Sequence, residues 1–197
     1  MSQNLILSSQ QLPEAKEDIE FLDSSFFRLR TPDQRLPTPR EVRALSAGNT
    51  FKAPNVIFEH LGLLVKFGPG VTIAEDQCLW IIKKILGDVV PVPEVYGWKV
   101  DGSEVFIYMQ YIKGQQLRER WDILSIAEKT EICNQLSNIV TALRQVSQSP
   151  QDPFIGMSLN LSICRLCLTL LHRIYRPPNP PRHCFSLYAC SGTFWQC

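Results

Sequence analysis

Residues Leu61-Gly62-Leu63-Leu64-Val65-Lys66-Phe67-Gly68-Pro69-Gly70 constrain the fold more than any other stretch. Leu63, Val65 and Phe67 alternate with Leu64 and Lys66, the two-residue period of a strand. Gly68-Pro69-Gly70 stops that strand, because proline removes a ladder donor and glycine opens turn conformations. Thr72-Ile73-Ala74-Glu75 follows at once with the spacing of a capping box. It opens a helix to about Leu86 whose packed stripe is Ile73, Cys78, Leu79, Ile82 and Ile85 or Leu86. A strand that turns directly into an amphipathic helix needs a sheet for both to pack on.

The neighbouring segments supply that sheet. Asn55 to Phe58 reads as a strand joined to Leu61–Phe67 through Glu59-His60. Val90-Pro91-Val92-Pro93 cannot be helical and forces an extended entry. Glu94 to Val100 and Glu104 to Ile112 are strand-like, and Asp101-Gly102 between them is a short-hairpin signal. Lys113-Gly114 ends the second. Helices flank this region. Pro13 to Arg30 reads as one, with Phe21, Leu22, Phe26 and Leu29 as its apolar positions. Thr31 to Pro39 is a connector, and Thr38-Pro39-Arg40-Glu41 caps a short helix through Leu45. Gln115 to Trp121 is a short helical piece. Ser125-Ile126-Ala127-Glu128 caps a long helix to about Gln148, with Ile132, Leu136, Ile139, Val140, Leu143 and Val146 at helical period. The expectation is an α+β domain, an antiparallel sheet of about five strands with a covering helix on one side.

Charge separates the chain into two kinds of sequence. The formal net charge is +1, which gives no reason to expect nucleic acid or an anionic membrane as partner. Residues 1–152 hold 16 Lys and Arg against 19 Asp and Glu, whereas residues 153–197 hold four Arg and no acid. Five of the seven Cys lie in that second part: Cys164, Cys167, Cys184, Cys190 and Cys197. No basic run precedes an apolar core near Met1, so a reducing, cytoplasmic compartment is expected and the cysteines do not imply a disulfide framework. Leu159 to Leu171 is apolar but contains Arg165, and is shorter than the roughly 20 residues a spanning helix needs.

Lys66 and Glu75 are the candidate functional pair. Taken locally, Lys66 reads as a solvated strand-edge residue, and Glu75 as a capping carboxylate that satisfies a free backbone N–H. Lys66 shares its strand face with Leu64 and Gly68, so it can equally line a cleft. Spacing alone leaves both readings open. No G-x-G-x-x-G and no G-x-x-x-x-G-K-[ST] is present, which excludes a Rossmann or Walker phosphate cradle.

Three blocks decide further: LGLLVKFGPGVTIAEDQCLW, VPVPEVYGW and FIYMQYIKGQQLRERW. In order and spacing, from about Pro39 to Gly156, they resemble the fungal branch of the aminoglycoside phosphotransferase and choline kinase-like family. The resemblance implies a protein kinase-like N-terminal lobe, a hinge, then helices of a larger lobe. It implies that Lys66 holds the α- and β-phosphates of ATP and that Glu75 pairs with Lys66. It places Met109, Gln110, Tyr111 and Ile112 at a hinge whose backbone meets adenine. Family members often carry an acid where Gln110 stands, a departure that matters little for a backbone contact. ATP with Mg²⁺ is the implied cofactor.

The same resemblance implies carboxylates for metal and proton transfer in the second lobe, in a His-Gly-Asp motif and a later Asp. Neither His172-Arg173 nor His183-Cys184 fits, and the likeness breaks near Met157. Residues 157–197 therefore read as an aberrant tail, in the manner of translated intron or shifted frame. Two other readings of the tail stay open. One is a zinc site from Cys164, Cys167, His172, His183, Cys184 and Cys190. The other is a loose helix with Leu166, Leu170 and Ile174 patching uncovered apolar faces. The expected division is a helical extension over 1–50, lobe and hinge over 51–112, the start of a helical lobe over 113–156, and the tail. The resemblance implies ATP-dependent phosphoryl transfer to a small hydroxylated substrate, and the expectation is a truncated member that keeps the ATP-clamping lobe and is inactive, with no catalytic residue and no metal ligand in this chain. The rivals are a non-catalytic module with a protein partner on the uncovered lobe interface and a mis-spliced product that does not fold.

Overall fold

The strand carrying Lys66, β4 (Leu63–Phe67), lies inside a five-stranded sheet rather than at its edge. The computed structural model describes residues 5–15, 18–28, 34–46, 55–148 and 151. Its elements are β1 (Leu5–Leu7), β2 (Ile19–Glu20), α1 (Ser25–Arg28), α2 (Pro39–Leu45), β3 (Asn55–Phe58), β4, α3 (Ile73–Leu86), β5 (Val95–Asp101), β6 (Glu104–Gln110), α4 (Leu117–Arg120), α5 (Ile126–Arg144) and β7 (Val146–Gln148). The main sheet has the order β2-β5-β6-β4-β3 and every pairing in it is antiparallel. β6 pairs with β4 and with β5, so the chain leaves β4 through α3 and returns two strands away. The fold is thus α+β, as its sequence pattern indicates.

Alternation along β4 sorts its residues between two layers. Leu63, Val65 and Phe67 join Val56, Phe58, Tyr96, Phe106 and Tyr108 on one face, where Phe26, Leu36 and Val42 cover them. On the other face Val95, Ile107 and Met109 meet Cys78, Leu79, Ile82 and Leu86 of α3, with Leu64 half-buried beside them. The sheet is therefore covered on both faces, not by one helix alone. The residues read as an N-terminal extension form the second layer. Polar contacts hold that layer in place. The buried Tyr108 hydroxyl donates to the Pro37 carbonyl at 2.7 Å. Arg43 on α2 bonds Glu104 at 2.7 Å and Asp101, with its guanidinium 4.9 Å from the Phe106 ring centre.

Residues 13–28 differ from the helix that their apolar spacing predicts. Ile19 and Glu20 form β2 against Trp98 and Gly97, and among the described residues of this stretch only Ser25–Arg28 is helical; Leu29 and Arg30 lie outside the described residues. The free edge of β5 outweighs helical propensity here, because a strand on that edge satisfies backbone groups that a helix would leave unpaired. Phe21 then stacks on Trp80 and meets Trp98 edge-on, at ring-centre distances of 5.8 and 5.7 Å. Leu22, taken as an apolar face position, is 68% exposed.

Other boundaries shift for local reasons. Glu59–Leu61 is a short 3-10 turn closed by Gly62 at φ +58°, so the strand starts at Leu63. β6 ends at Gln110, although the Tyr111 amide still donates to the Gly62 carbonyl at 2.9 Å. α5 ends at Arg144, and Val146–Gln148 continues as β7 in a parallel pair with β1. That pair brings Leu7 onto the α3 layer beside Leu143 and Val146. The tail and every cysteine and histidine named in it lie outside the described residues.

Candidate functional site

Lys66 sits across the ladder from Ile107 and Asn55, on the face that α3 covers. Its ammonium donates to the Glu75 carboxylate, one turn into α3. Both side chains are partly exposed, 31% for Lys66 and 24% for Glu75. The pair expected from the resemblance is formed, and the reading of Lys66 as a solvated edge residue fails because β4 is flanked on both sides. A half-exposed pair of this kind is worth about 1 kcal/mol or less, so it positions charge more than it stabilises the fold.

The capping reading of Glu75 fails as well. Thr72 has the extended backbone of an N-cap, but its side chain makes no capping bond. The contrast lies within the chain itself. Thr38–Glu41 and Ser125–Glu128 both close their capping boxes. Ser125-Ile126-Ala127-Glu128 repeats the Ile-Ala-Glu of Thr72-Ile73-Ala74-Glu75, yet only the former closes, with the Ser125 amide donating to Glu128 at 2.8 Å. Glu75 instead bonds Lys66, whereas Glu41 bonds Arg35 and closes its box as well.

Asp76 was not anticipated. It is fully buried, and both carboxylate oxygens lack a hydrogen-bond partner. Burial, and then the neighbouring Glu75 charge, push its carboxyl well above the usual carboxylate range, favouring the neutral form. Of the two acids in the first helical turn, Glu75 is the one bonded to Lys66. Sequence spacing held one signal: Asp76 stands three residues before Leu79, next to the packed stripe.

Met109 to Ile112 lie at the far end of the same ladder. Gln110 pairs with Leu63 and Ile107 with Lys66, so Met109 lies two residues and Gln110 three, or roughly 10 Å, along the strand from the Lys66 position. Met109 is buried in the sheet. The Gln110 amide is committed to the Glu94 carbonyl at 2.8 Å and the Tyr111 amide to Gly62. The Gln110 side chain accepts from the Glu94 amide at 3.4 Å. Ile112 follows at 60% exposure, and its amide has no hydrogen-bond partner among the described residues. Of the four expected positions, Met109 is buried and the Gln110 and Tyr111 amides are already bonded within the sheet.

No three His, Cys, Asp or Glu side chains converge to hold a metal among the described residues, and no helix there is long and apolar enough to cross a membrane. No family model, curated protein or solved structure matches the chain.

Proposed function

We propose that residues 55–112 form the nucleotide-clamping lobe of a kinase-like, aminoglycoside phosphotransferase-type protein. The observation that carries the reading is the Lys66–Glu75 pair. A strand lysine held by a carboxylate on the following helix is the arrangement that kinases use for the α- and β-phosphates. The roughly 10 Å from Lys66 to Gln110 along β4 and β6 suits an extended nucleotide, phosphates at the ammonium and adenine near Ile112. Phosphoryl transfer is not assigned to this chain. Residues 153–197, where the resemblance expects the metal and proton-transfer carboxylates, hold no Asp or Glu. The chain binds ATP without turning it over, in the cytoplasm.

Titrating the folded 197-residue chain with a fluorescent ATP analogue in Mg²⁺ tests this. Saturable binding that ATP displaces is expected. Lys66→Ala should weaken it about tenfold or more, since a charged hydrogen bond is removed. A folded chain that binds no nucleotide, or binds equally well as Lys66→Ala, rejects the reading. Phosphorylation of a small hydroxylated substrate would overturn the non-catalytic part.

A second reading has its own observation. Ile112, Ile123 and Ile126 are 60%, 75% and 84% exposed on the segment that follows the sheet. Such side chains favour a non-catalytic module that docks on a protein partner. A chain that stays monomeric and retains no partner when purified from its source would count against it.

A further inference from the structure

We propose that residues 5–13 are a strap that holds the helical arm, α4 to β7, against the α3 layer, and that opening it frees the arm from the sheet. The covalent route between sheet and arm is thin. From Ile112 to Gln116 every residue is exposed, and no backbone amide there has a hydrogen-bond partner among the described residues. α4 and the 3-10 turn after it bury no residue. α5 meets the core through Ile139, Ala142 and Leu143 in its last two turns, followed by Val146 of β7. The second tie between arm and sheet comes from the other end of the described chain. β1 runs parallel to β7, with Leu5, Ile6 and Leu7 beside Val146, Ser147 and Gln148. Leu7 is 3% exposed and shares a buried cluster with Leu143 and with Cys78 and Leu79 of α3. A turn then carries the chain back, the Gln11 amide donating to the Ser8 carbonyl at 3.1 Å. Leu12 packs on the same cluster, and the Pro13 carbonyl accepts from the Gln77 side chain of α3 at 2.7 Å. One continuous run thus grips β7 at one end and α3 at the other.

A strap of this build opens before the sheet does. β1 is three residues long and pairs with β7 alone, a two-stranded pairing too short to stand by itself. Its anchor is the Leu7 side chain, while Ile6 beside it is 59% exposed. An element with so few buried contacts opens locally, at a smaller cost than unfolding the domain. Opening uncovers Leu7, Leu143 and Val146 together and leaves residues 112–116 to hold the arm. Resting on the nucleotide reading above, the closed strap keeps the arm beyond Ile112 beside the adenine end of the site, and a bound nucleotide favours the closed form.

The test is amide hydrogen exchange by NMR on the full chain, first without nucleotide, so the strap and the binding reading fail separately. Leu7→Ala removes the anchor. It should speed exchange at Leu143 and Arg144 by roughly tenfold or more and leave Val65 and Ile107 of the sheet within about twofold of wild type. Leu143 and Arg144 unchanged, or sheet amides accelerated as much as they are, overturns the proposal. A second variant adds a lock rather than removing a contact. Ile6→Cys with Ser147→Cys joins two residues that face each other in the β1–β7 register, and peptide mass analysis confirms that these two are bonded. Its oxidised form should exchange Leu143 and Arg144 roughly tenfold more slowly than its reduced form, with Val65 and Ile107 unchanged. Equal rates in the two forms overturn the strap even where Leu7→Ala does not fold. The fluorescent ATP analogue is then added to the unmodified chain at saturation. Leu143 and Arg144 should slow by about threefold or more, because a ligand that prefers the closed form suppresses opening. Binding without that slowing overturns the link to the nucleotide. Absence of binding rejects the nucleotide reading, and the lock still decides the strap.

Discussion

The carboxyl group of Asp76 has no solvent exposure and no hydrogen-bond partner, and burial holds it well above the usual carboxylate range. The sign of its effect on stability follows. A raised folded-state value means stability that is fully present below the ordinary carboxyl value and lost progressively as pH rises from there through the raised value. Asp76→Asn keeps the shape and cannot ionise. Wild type should therefore lose stability relative to Asp76→Asn by up to about 1.4 kcal/mol per pH unit above the ordinary carboxyl value, levelling off once the raised folded value is passed. Urea midpoints for both proteins between pH 5 and 9 check this, and parallel pH curves would refute it. Gly97 makes a second demand at this scale. Its φ is +153°, and a Cβ there would lie 2.2 Å from the Ile19 carbonyl oxygen. Gly97→Ala should cost about 3 kcal/mol, or strip β2 from the sheet, seen as a lower thermal midpoint. Sequence makes Lys66 and Glu75 legible because their spacing places them on a strand end and the next helical turn. It hides Asp76, since an acid beside a packed stripe reads as solvated until the covering layer is known. Gly97 is hidden too, because β2 approaches it from a segment whose own pattern favours a helix.

Elements closed by local chemistry are the ones that sequence places well. Thr38 and Ser125 start α2 and α5 where their capping spacing says, and Asp101-Gly102 turns the β5–β6 hairpin. α3 runs from Ile73 to Leu86 as its apolar period requires. Elements that exist only through pairing at a distance are the ones it misplaces. β2 needs the edge of β5, and β7 needs β1 from the opposite end of the described chain. The caps themselves make a paired prediction. Thr38→Ala removes a hydroxyl that accepts from Glu41 and should destabilise by about 1 kcal/mol. Thr72→Ala removes a hydroxyl with no capping bond and should change stability by less than about 0.5 kcal/mol. Denaturant unfolding of both variants measures the difference, and equal losses would mean that the Thr72 box is closed in solution.

Across the whole molecule, burial is distributed very unevenly, and that sets where it opens. The sheet holds Trp98, Phe106, Tyr108, Leu63, Val65 and Ile107 at essentially zero exposure, between two covering layers. α5 is longer than α3, 19 residues against 14, yet Leu143 is its one buried residue. Its apolar period is real, but Ile132, Leu136, Ile139 and Val140 are half-buried and Ile126 is 84% exposed. Only the C-terminal end, with Leu143 and the β7–β1 pair behind it, joins the α3 layer. An isolated helix of this length is marginal in water, and its stability comes from the face it packs. Protection against hydrogen exchange should therefore fall along α5 from Leu143 toward Ile126. Amides in the first half of the helix should open at a cost of about 1–2 kcal/mol, far below those of β4 to β6, which open only with the whole domain. Leu143→Ala should lower the midpoint of the whole domain, at a cost of about 2–4 kcal/mol for truncating a buried leucine. Exchange rates measured residue by residue decide the matter. Uniform protection along α5 would mean that its outer apolar face is covered in solution, the outcome expected if a protein partner or a second copy docks there.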